Sequence, residues 1–432
     1  MVHVGNVIRD KRKQLHLTQG EVAGEYMSIS KLSNIENGKI IPDPRTWGYL
    51  QRKLRLSDEL SLQKQYVEKV GFLLEQAGTY ETAGLKEKAM ENYHEAAEMA
   101  SHFMLSGKAG KAYQKLGGLY TESKQYDLAL NCLEKALGYL ELTDDWEQKV
   151  ICELKYSVVF YKEEKYVESL EHAKLALKRI PDGEDSMRGA VHYDIACAYY
   201  RLQMIDRANH ECEQALSYLA EENGDYYIAA LILHGILLKK AKMYLLAEKK
   251  HREARELSFS RGKTYYLGLC WHNLGDVAME SGHFEKALEC FRLAMEVKEQ
   301  TGDTLGIIRT KTYRAELYYR MGDNDNALKS AEEVLADARK LQLKTDEFFI
   351  VRTLGKIHAA LGDERQYLDL AYKAMTLADE LAFDNEKAEL LGDMADFYYR
   401  QGNQERCLEK LYQAFLVKSQ YNDVRQEVLG NE

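Results

Sequence analysis

Proline is nearly missing from this chain: 432 residues contain only 3, Pro42, Pro44 and Pro181. So little of the residue that breaks helices reads as a helical protein. Paired cysteines are also absent. The seven, at 132, 152, 197, 212, 270, 290 and 407, are odd in number, scattered and never spaced Cys-x-x-Cys. That excludes a zinc or disulfide framework and is expected of small buried hydrophobes in a reducing cytosol. No long apolar run occurs. The longest uncharged stretch, Tyr226 to Leu238, includes His234 and is too short to span a bilayer. Met1-Val2-His3-Val4-Gly5 offers no apolar segment for secretion. The expectation is a cytoplasmic protein with no membrane partner. Catalytic motifs are lacking too. His94-Glu95 has no second histidine at zinc-motif spacing, and no glycine-rich phosphate loop, nucleophile elbow or Cys/His set is found. His251 and His358 fall at packing positions. No enzyme, metal or cofactor is expected.

What the chain does contain is a repeat. A small residue recurs at Ala77, Gly117, Ser157, Ala196, Gly235, Gly275, Ala315, Gly355 and Ala395, at gaps of 39 or 40. Three residues on stands a mostly bulky side chain: Tyr80, Tyr120, Phe160, Tyr199, Leu238, Ala278, Tyr318, His358 and Tyr398. Twelve on stand Ala89, Ala129, Ser169, Ala208, Ala247, Ala287, Ala327, Tyr367 and Cys407. Nineteen on stand Ala96, Ala136, Ala176, Ala215, Ala254, Ala294, Val334, Ala374 and Ala414. Small residues at these offsets let two helices cross closely. Nine stacked helical hairpins are expected, because an array of identical units packs each on its neighbours. Gly84, Gly282, Gly322, Gly362 and Gly402 should stop first helices. Residues 340–346 read as a lengthened connection, and 416–432 as a capping helix.

Charge divides the chain. Residues 1–57 carry 10 Lys and Arg against 5 Asp and Glu, while the remainder carries 49 against 64. A basic head on an acidic body points to the head alone for a polyanion. Residues 4–56 read as a five-helix unit. Val4, Val7, Ile8 and Leu15 form one helical stripe, and Thr18-Gln19-Gly20-Glu21 is a capping box. Val22 and Ala23 point inward. Ser28 caps a helix holding Leu32 and Ile35, Asn37-Gly38 ends it, and Trp47, Leu50 and Leu54 lie on a last helix.

Thr18-Gln19, Ala23, Ser33, Ile35-Glu36-Asn37-Gly38-Lys39 and Pro42 together resemble the phage-repressor (Xre-type) helix-turn-helix, over the whole head. One departure is a turn one residue shorter, with Met27 where a glycine is usual. The resemblance implies a recognition helix in the major groove of double-stranded DNA. Ile29, Ser30 and Asn34 then face outward with Ser33 beside them, and Ser28 and Lys31 belong to the same surface. Asn34 suits adenine, since an amide pairs with it bidentately, and Ile29 suits a thymine methyl. Gln19, Asn37 and Lys39 are expected at phosphates. In this family the residues at Arg12 and Glu36 form a partly buried ion pair.

Trp271-His272-Asn273-Leu274-Gly275 with Ala287, Phe291 and Ala294 resembles the tetratricopeptide repeat, although the period here is 40 rather than 34. The expected fold is therefore all-α: a helix-turn-helix domain (1–57), a linker helix (58–68), a right-handed superhelix of nine repeats (69–415) and the capping helix (416–432). In this repeat type the first helix of each hairpin lines an inner groove. Candidates there for a short linear peptide are Tyr161, Lys162, Asp194, Cys197, Arg201, Lys240, His272, Asn273, Asp276, Glu316 and Arg320. Asn273 both donates and accepts, so it can pair with peptide backbone whatever the sequence. Lys162, Arg201 and Arg320 suit a carboxylate. Asp194 alternatively pairs with Arg201, two turns along the same helix.

A head of this type on such an array resembles the peptide-pheromone-responsive regulators of Gram-positive bacteria (the Rap–NprR–PlcR–PrgX group), and nine units most resemble NprR. The resemblance implies a quorum-sensing transcriptional regulator. A signalling peptide in the groove would control how a homo-oligomer, a dimer or higher, presents its heads to a two-fold operator. The second reading it allows is a Rap-like interaction protein, with a phosphorelay response regulator as partner.

Overall fold

The computed structural model describes residues 4–430, apart from 38, 41, 43, 57, 58, 221–223 and 382. Among the described residues all regular structure is helical, and no helix is long and apolar enough to cross a membrane. The chain divides into two compact units, Met1–Glu184 and Asp185–Glu432.

The first unit opens with α1 (Val4–Gln14), α2 (Gln19–Ala23), α3 (Ile29–Glu36) and α4 (Pro44–Leu54). Among the described residues, 4–56 thus hold four helices rather than five. Pro44 takes the first position of α4, where its missing N–H loses no bond, and 44–54 is one element. Ile8, Val22, Ala23, Leu32, Ile35, Leu50 and Leu54 close a small core. Gly5 lets α1 cross the end of α3: a Cβ there would lie 2.3 Å from the Ile35 carbonyl oxygen. Tyr49 Oη donates to the carbonyls of Val22 (3.0 Å) and Ala23 (3.3 Å), tying α4 to α2. Gly38 and the side chain of Val4 lie outside the described residues.

Helices then pair in chain order. In the first unit these are α5 (Glu59–Thr82) with α6 (Lys86–His102), α7 (Ser106–Glu122) with α8 (Tyr126–Leu140), and α9 (Trp146–Lys162) with α10 (Tyr166–Arg179). In the second they are α11 (Asp185–Arg201) with α12 (Ile205–Tyr218), α13 (Asp225–Lys240) with α14 (Tyr244–Ser260), and α15 (Thr264–Glu280) with α16 (Phe284–Thr301). There follow α17 (Thr304–Arg320) with α18 (Asn324–Lys340), α19 (Lys344–Ala360) with α20 (Glu364–Glu380), and α21 (Asp384–Arg400) with α22 (Gln404–Gly430). Two patterns in the chain match tetratricopeptide-type packing. Every small marker sits in a first helix. From Ala89 to Tyr367 and from Ala96 to Ala374, the residues twelve and nineteen further on are buried in the second helix.

Three expected boundaries move. The linker 58–68 is no separate helix, because residues from Glu59 run straight into α5. The capping segment is the continuation of α22, which passes through 416 unbroken. Residues 340–346 hold no lengthened connection: α18 ends at Lys340, α19 starts at Lys344, and Gln342 in left-handed geometry makes the same tight turn as elsewhere.

Three buried marker glycines each answer a large partner sixteen residues later, while the fourth, Gly355, has Ala371 at that offset and room for a Cβ. A Cβ at Gly117 would lie 2.8 Å from Leu133, at Gly235 2.4 Å from His251, and at Gly275 2.6 Å from Phe291. The helices therefore approach as closely as the second helix's side chain allows. His251 is 1% exposed, and burial lowers its pKa to about 3, so it is a neutral packing residue. Cys132, Cys152, Cys212, Cys270 and Cys290 are buried and unpaired.

Candidate functional site

On the head, α2 and α3 are held by their caps. Thr18 Oγ1 accepts from the Glu21 amide (3.2 Å) while Glu21 Oε2 accepts from the Thr18 amide (2.7 Å). Ser28 Oγ accepts from the Lys31 amide at 3.1 Å. On the inner side of α3 its last residue, Glu36, is 1% exposed. Arg12 grips it twice, Nε to Oε1 at 2.6 Å and Nη2 to Oε2 at 2.9 Å, and Gln19 Nε2 donates to Oε2 at 2.8 Å. Burial opposes the Glu36 charge, but these donors outweigh it and hold its carboxyl below the usual range. Gln19, expected at phosphate, gives this amide hydrogen to Glu36 instead. Lys31 Nζ reaches buried Thr46 Oγ1 at 3.3 Å.

Ile29, Ser30, Ser33 and Asn34 of α3, with the cap residue Ser28, make an outward surface. Ile29 is 55% exposed, Ser28 and Ser30 are exposed, and Ser33 and Asn34 are half-buried. Asn34's carbonyl accepts from the amides of Lys39 (2.8 Å) and Ile40 (3.2 Å), which turns the chain away after α3. Its side-chain amide has no hydrogen-bond partner among the described residues. Asn37 is exposed, its Nδ2 3.4 Å from Ser33 Oγ and its Oδ1 accepting from Arg9 Nη2; Lys39 is exposed as well.

In the second unit the first helices of successive pairs lie side by side, α13 on α11, α15 on α13, α17 on α15 and α19 on α17. Ion pairs cross this layer. Lys239 Nζ meets Asp276 Oδ2 at 2.5 Å. Arg320 bridges Glu280 (3.0 Å) and Glu316 (3.1 Å), and Lys356 approaches Glu316 at 3.8 Å. Arg352 joins Glu389 (2.9 Å) and Asp393 (2.8 Å). Burial works against the charge of Arg320, yet its two carboxylates keep its pKa raised. Arg320, expected to wait for a ligand carboxylate, is already neutralised.

Two groups on this layer stand apart. Asp194 on α11 forms no ion pair among the described residues, and the alternative bond to Arg201 is not made. Part of its surface is open, yet its position is recessed enough that burial alone lifts its carboxyl to about 7. The Asp194 charge, and then burial, raise the pKa of Tyr226, and burial followed by Asp194 raises that of Cys197. Tyr193 and Tyr226 meet edge to face at 6.0 Å. Asn273 on α15 is half-buried, and its amide makes no hydrogen bond among the described residues.

Other expected residues fall elsewhere. His272 turns into the stack: Nδ1 lies 3.1 Å from Thr310 Oγ1 and the ring packs edge-on to Tyr313 at 4.8 Å. Burial and then Lys298 drive its pKa well down, so it is a neutral spacer. Lys240 is exposed, and the cation facing Asp276 is its neighbour Lys239, which the sequence reading passed over. Arg352 and Tyr313 were also missed. They sit three and two residues before their markers, the offsets that gave His272 and Asn273, so the signal was available. Tyr161, edge-on to Tyr166 at 5.4 Å, and exposed Lys162 belong to the first unit.

Residues 264–340 and, separately, 110–139 match the tetratricopeptide repeat. No curated protein matches the chain. Among solved structures, a Rap protein complexed with competence and sporulation factor superposes with TM-score 0.61 at 13% identity, over 82% of this chain and 99% of that one. The apo quorum sensor NprR from B. thuringiensis gives 0.59 at 15%, over 81% and 99%. The Rap conjugation gene regulator of plasmid pLS20, in complex with the Phr* peptide, gives 0.54 at 18%, over 82% and 96%. These are likenesses of fold.

Proposed function

We propose that the chain is a peptide-sensing transcriptional regulator of the NprR type. An Xre-type helix-turn-helix over 1–57 reads DNA, nine tetratricopeptide-like hairpins follow, and the second unit's first-helix layer takes a short extended peptide. The observation that carries this reading is the contrast within that layer. Lys239, Arg320 and Arg352 there are matched by carboxylates, whereas among the described residues Asp194 lacks a counter-charge and the Asn273 amide lacks a partner. An amide is the group that pairs with a peptide backbone, and an unmatched carboxylate among tyrosine rings suits a cationic side chain or amino terminus. Cys197, Arg201, Lys240, Asp276, Glu316 and Arg320 are assigned as further peptide contacts of lesser weight.

On the head, Asn34 is the base reader, with Ile29, Ser30 and Ser33 beside it and Ser28, Lys31, Asn37 and Lys39 toward phosphate. A homodimer would set two such heads on a two-fold operator. The peptide acts only to the extent that it favours one arrangement of the array over another.

The test uses synthetic peptides from small secreted reading frames beside the gene. A cognate peptide should raise the melting temperature of the full chain. Asn273→Ala should weaken its binding by about tenfold or more, the loss of a charge-free backbone pairing. An unchanged affinity places the site elsewhere. Asn34→Ala should abolish specific operator binding and leave the peptide response intact. The fold shared with Rap proteins also supports the second reading, contact with a response regulator. A complex formed without DNA and indifferent to Asn34→Ala would favour it.

A further inference from the structure

The last helix carries a surface that the rest of the array does not use. In α22, Leu408 is 66% exposed, Leu411 49%, Tyr412 64%, Phe415 65% and Leu416 40%. Their spacing of three, one, three and one places all five on one face of the helix. The opposite face, with Lys410 at 9% exposure, is the one turned into the hairpin. At 27 residues α22 is also ten longer than α21, the helix it packs on.

We infer that this face is the contact between two copies of the chain, each laying its own Leu408–Leu416 stripe against the other's. It deepens the proposed dimer by naming where it forms. The area is adequate. Aromatic side chains present about 150–250 Å² each and leucines somewhat less, so the five leave roughly 500 Å² open per copy. Pairing would bury about 1,000 Å² in total, the lower bound for a specific interface, before flanking residues count. The charge pattern selects a like copy. The stripe itself is uncharged, and the described flanks carry Glu405 and Glu409 against Arg406 and Lys418. So nearly neutral a face neither repels its own duplicate nor offers a field to a strongly acidic or basic partner. A two-fold axis through Tyr412 makes the stripe complementary to itself, which is what an isologous contact needs.

The test omits both DNA and peptide, so its failure is distinct from failure of the sensing reading. Sedimentation of the full chain should show a reversible dimer. Leu408→Glu with Phe415→Glu should weaken it more than about 100-fold, as expected for central apolar anchors, with helicity unchanged. Should that variant unfold, Tyr412→Cys supplies a second readout: mild oxidation should give a covalent dimer that the native chain does not form. A native chain that stays monomeric at the highest concentration hands the stripe to a different protein and overturns the inference. So does a dimer that survives both glutamates, or a Tyr412→Cys chain that fails to cross-link.

Discussion

Two recessed carboxylates in this molecule have opposite fates. Glu36 in the head is almost fully buried and receives three side-chain hydrogen bonds from Arg12 and Gln19, so it stays ionised. Asp194 in the second unit has no counter-charge among the described residues, and burial raises its pKa to about 7. A folded chain gains from an acid of the first kind and is burdened by one of the second. The first is therefore read as architecture and the second as a group whose partner arrives from outside.

The most damaging way to break the contrast is to remove one half of the head's pair. Arg12→Ala leaves Glu36 buried without its main donor and should destabilise the head by about 3–5 kcal/mol. Trp47 fluorescence during urea unfolding reads this directly in a Trp146→Phe, Trp271→Phe background. A loss under about 1 kcal/mol, the range of surface pairs, would mean the pair is solvated.

Proton titration should then move the two regions in opposite directions. Glu36 has a depressed pKa, so its contribution is full above the unfolded value of 4.5 and is lost as pH falls through the lower folded value. Asp194 has a raised pKa. Its folded form holds a proton that the unfolded chain has released, so stability falls as pH rises from 3.8 through about 7 and is level above that. The shift sets a ceiling of about 4 kcal/mol, and the surface Asp194 leaves open reduces this to about 1–3 kcal/mol. Asp194→Asn should flatten the slope between about pH 4 and pH 7, the window of the shift, and raise the melting temperature at the alkaline end. An identical slope in both proteins would show that Asp194 is hydrated like a surface acid.

The legibility of these features from sequence follows their range. The capping box at Thr18–Glu21, the marker spacing and the small residues at Ala89 or Ala96 are set by contacts within one helix or one hairpin, and each is visible as a short pattern. The choice between Lys239 and Lys240 is not. Adjacent helical residues point about 100° apart, and which one meets Asp276 depends on the lateral register of α13 against α15. His272 was misplaced for the same reason, since its partner Thr310 lies on the next repeat. The ion pairs across the layer join residues about one repeat apart, a separation at which the chain shows no local signal.

The smallest effect is expected at the turns, where the contrast between a satisfied and an unsatisfied group recurs in the backbone. The residue seven after each marker is left-handed in every pair. At Gly84, Gly282, Gly322, Gly362 and Gly402 that geometry is free of strain, whereas Lys124, Glu164, Gln203 and Lys242 adopt it at φ between 56° and 62°. Glycine was the expected stop, and these four show that the hairpin packing imposes the conformation even on residues with a Cβ. Left-handed backbone disfavours such residues by about 1–2 kcal/mol, and part of that gain is offset because glycine also loosens the unfolded chain. Lys124→Gly and Lys242→Gly should each stabilise by about 0.5–1 kcal/mol, seen as a higher denaturant midpoint at constant slope. Gly282→Lys should lose a similar amount. Were the glycine variants less stable instead, the long side chains at 124 and 242 would be contributing packing that outweighs the strain of holding them there.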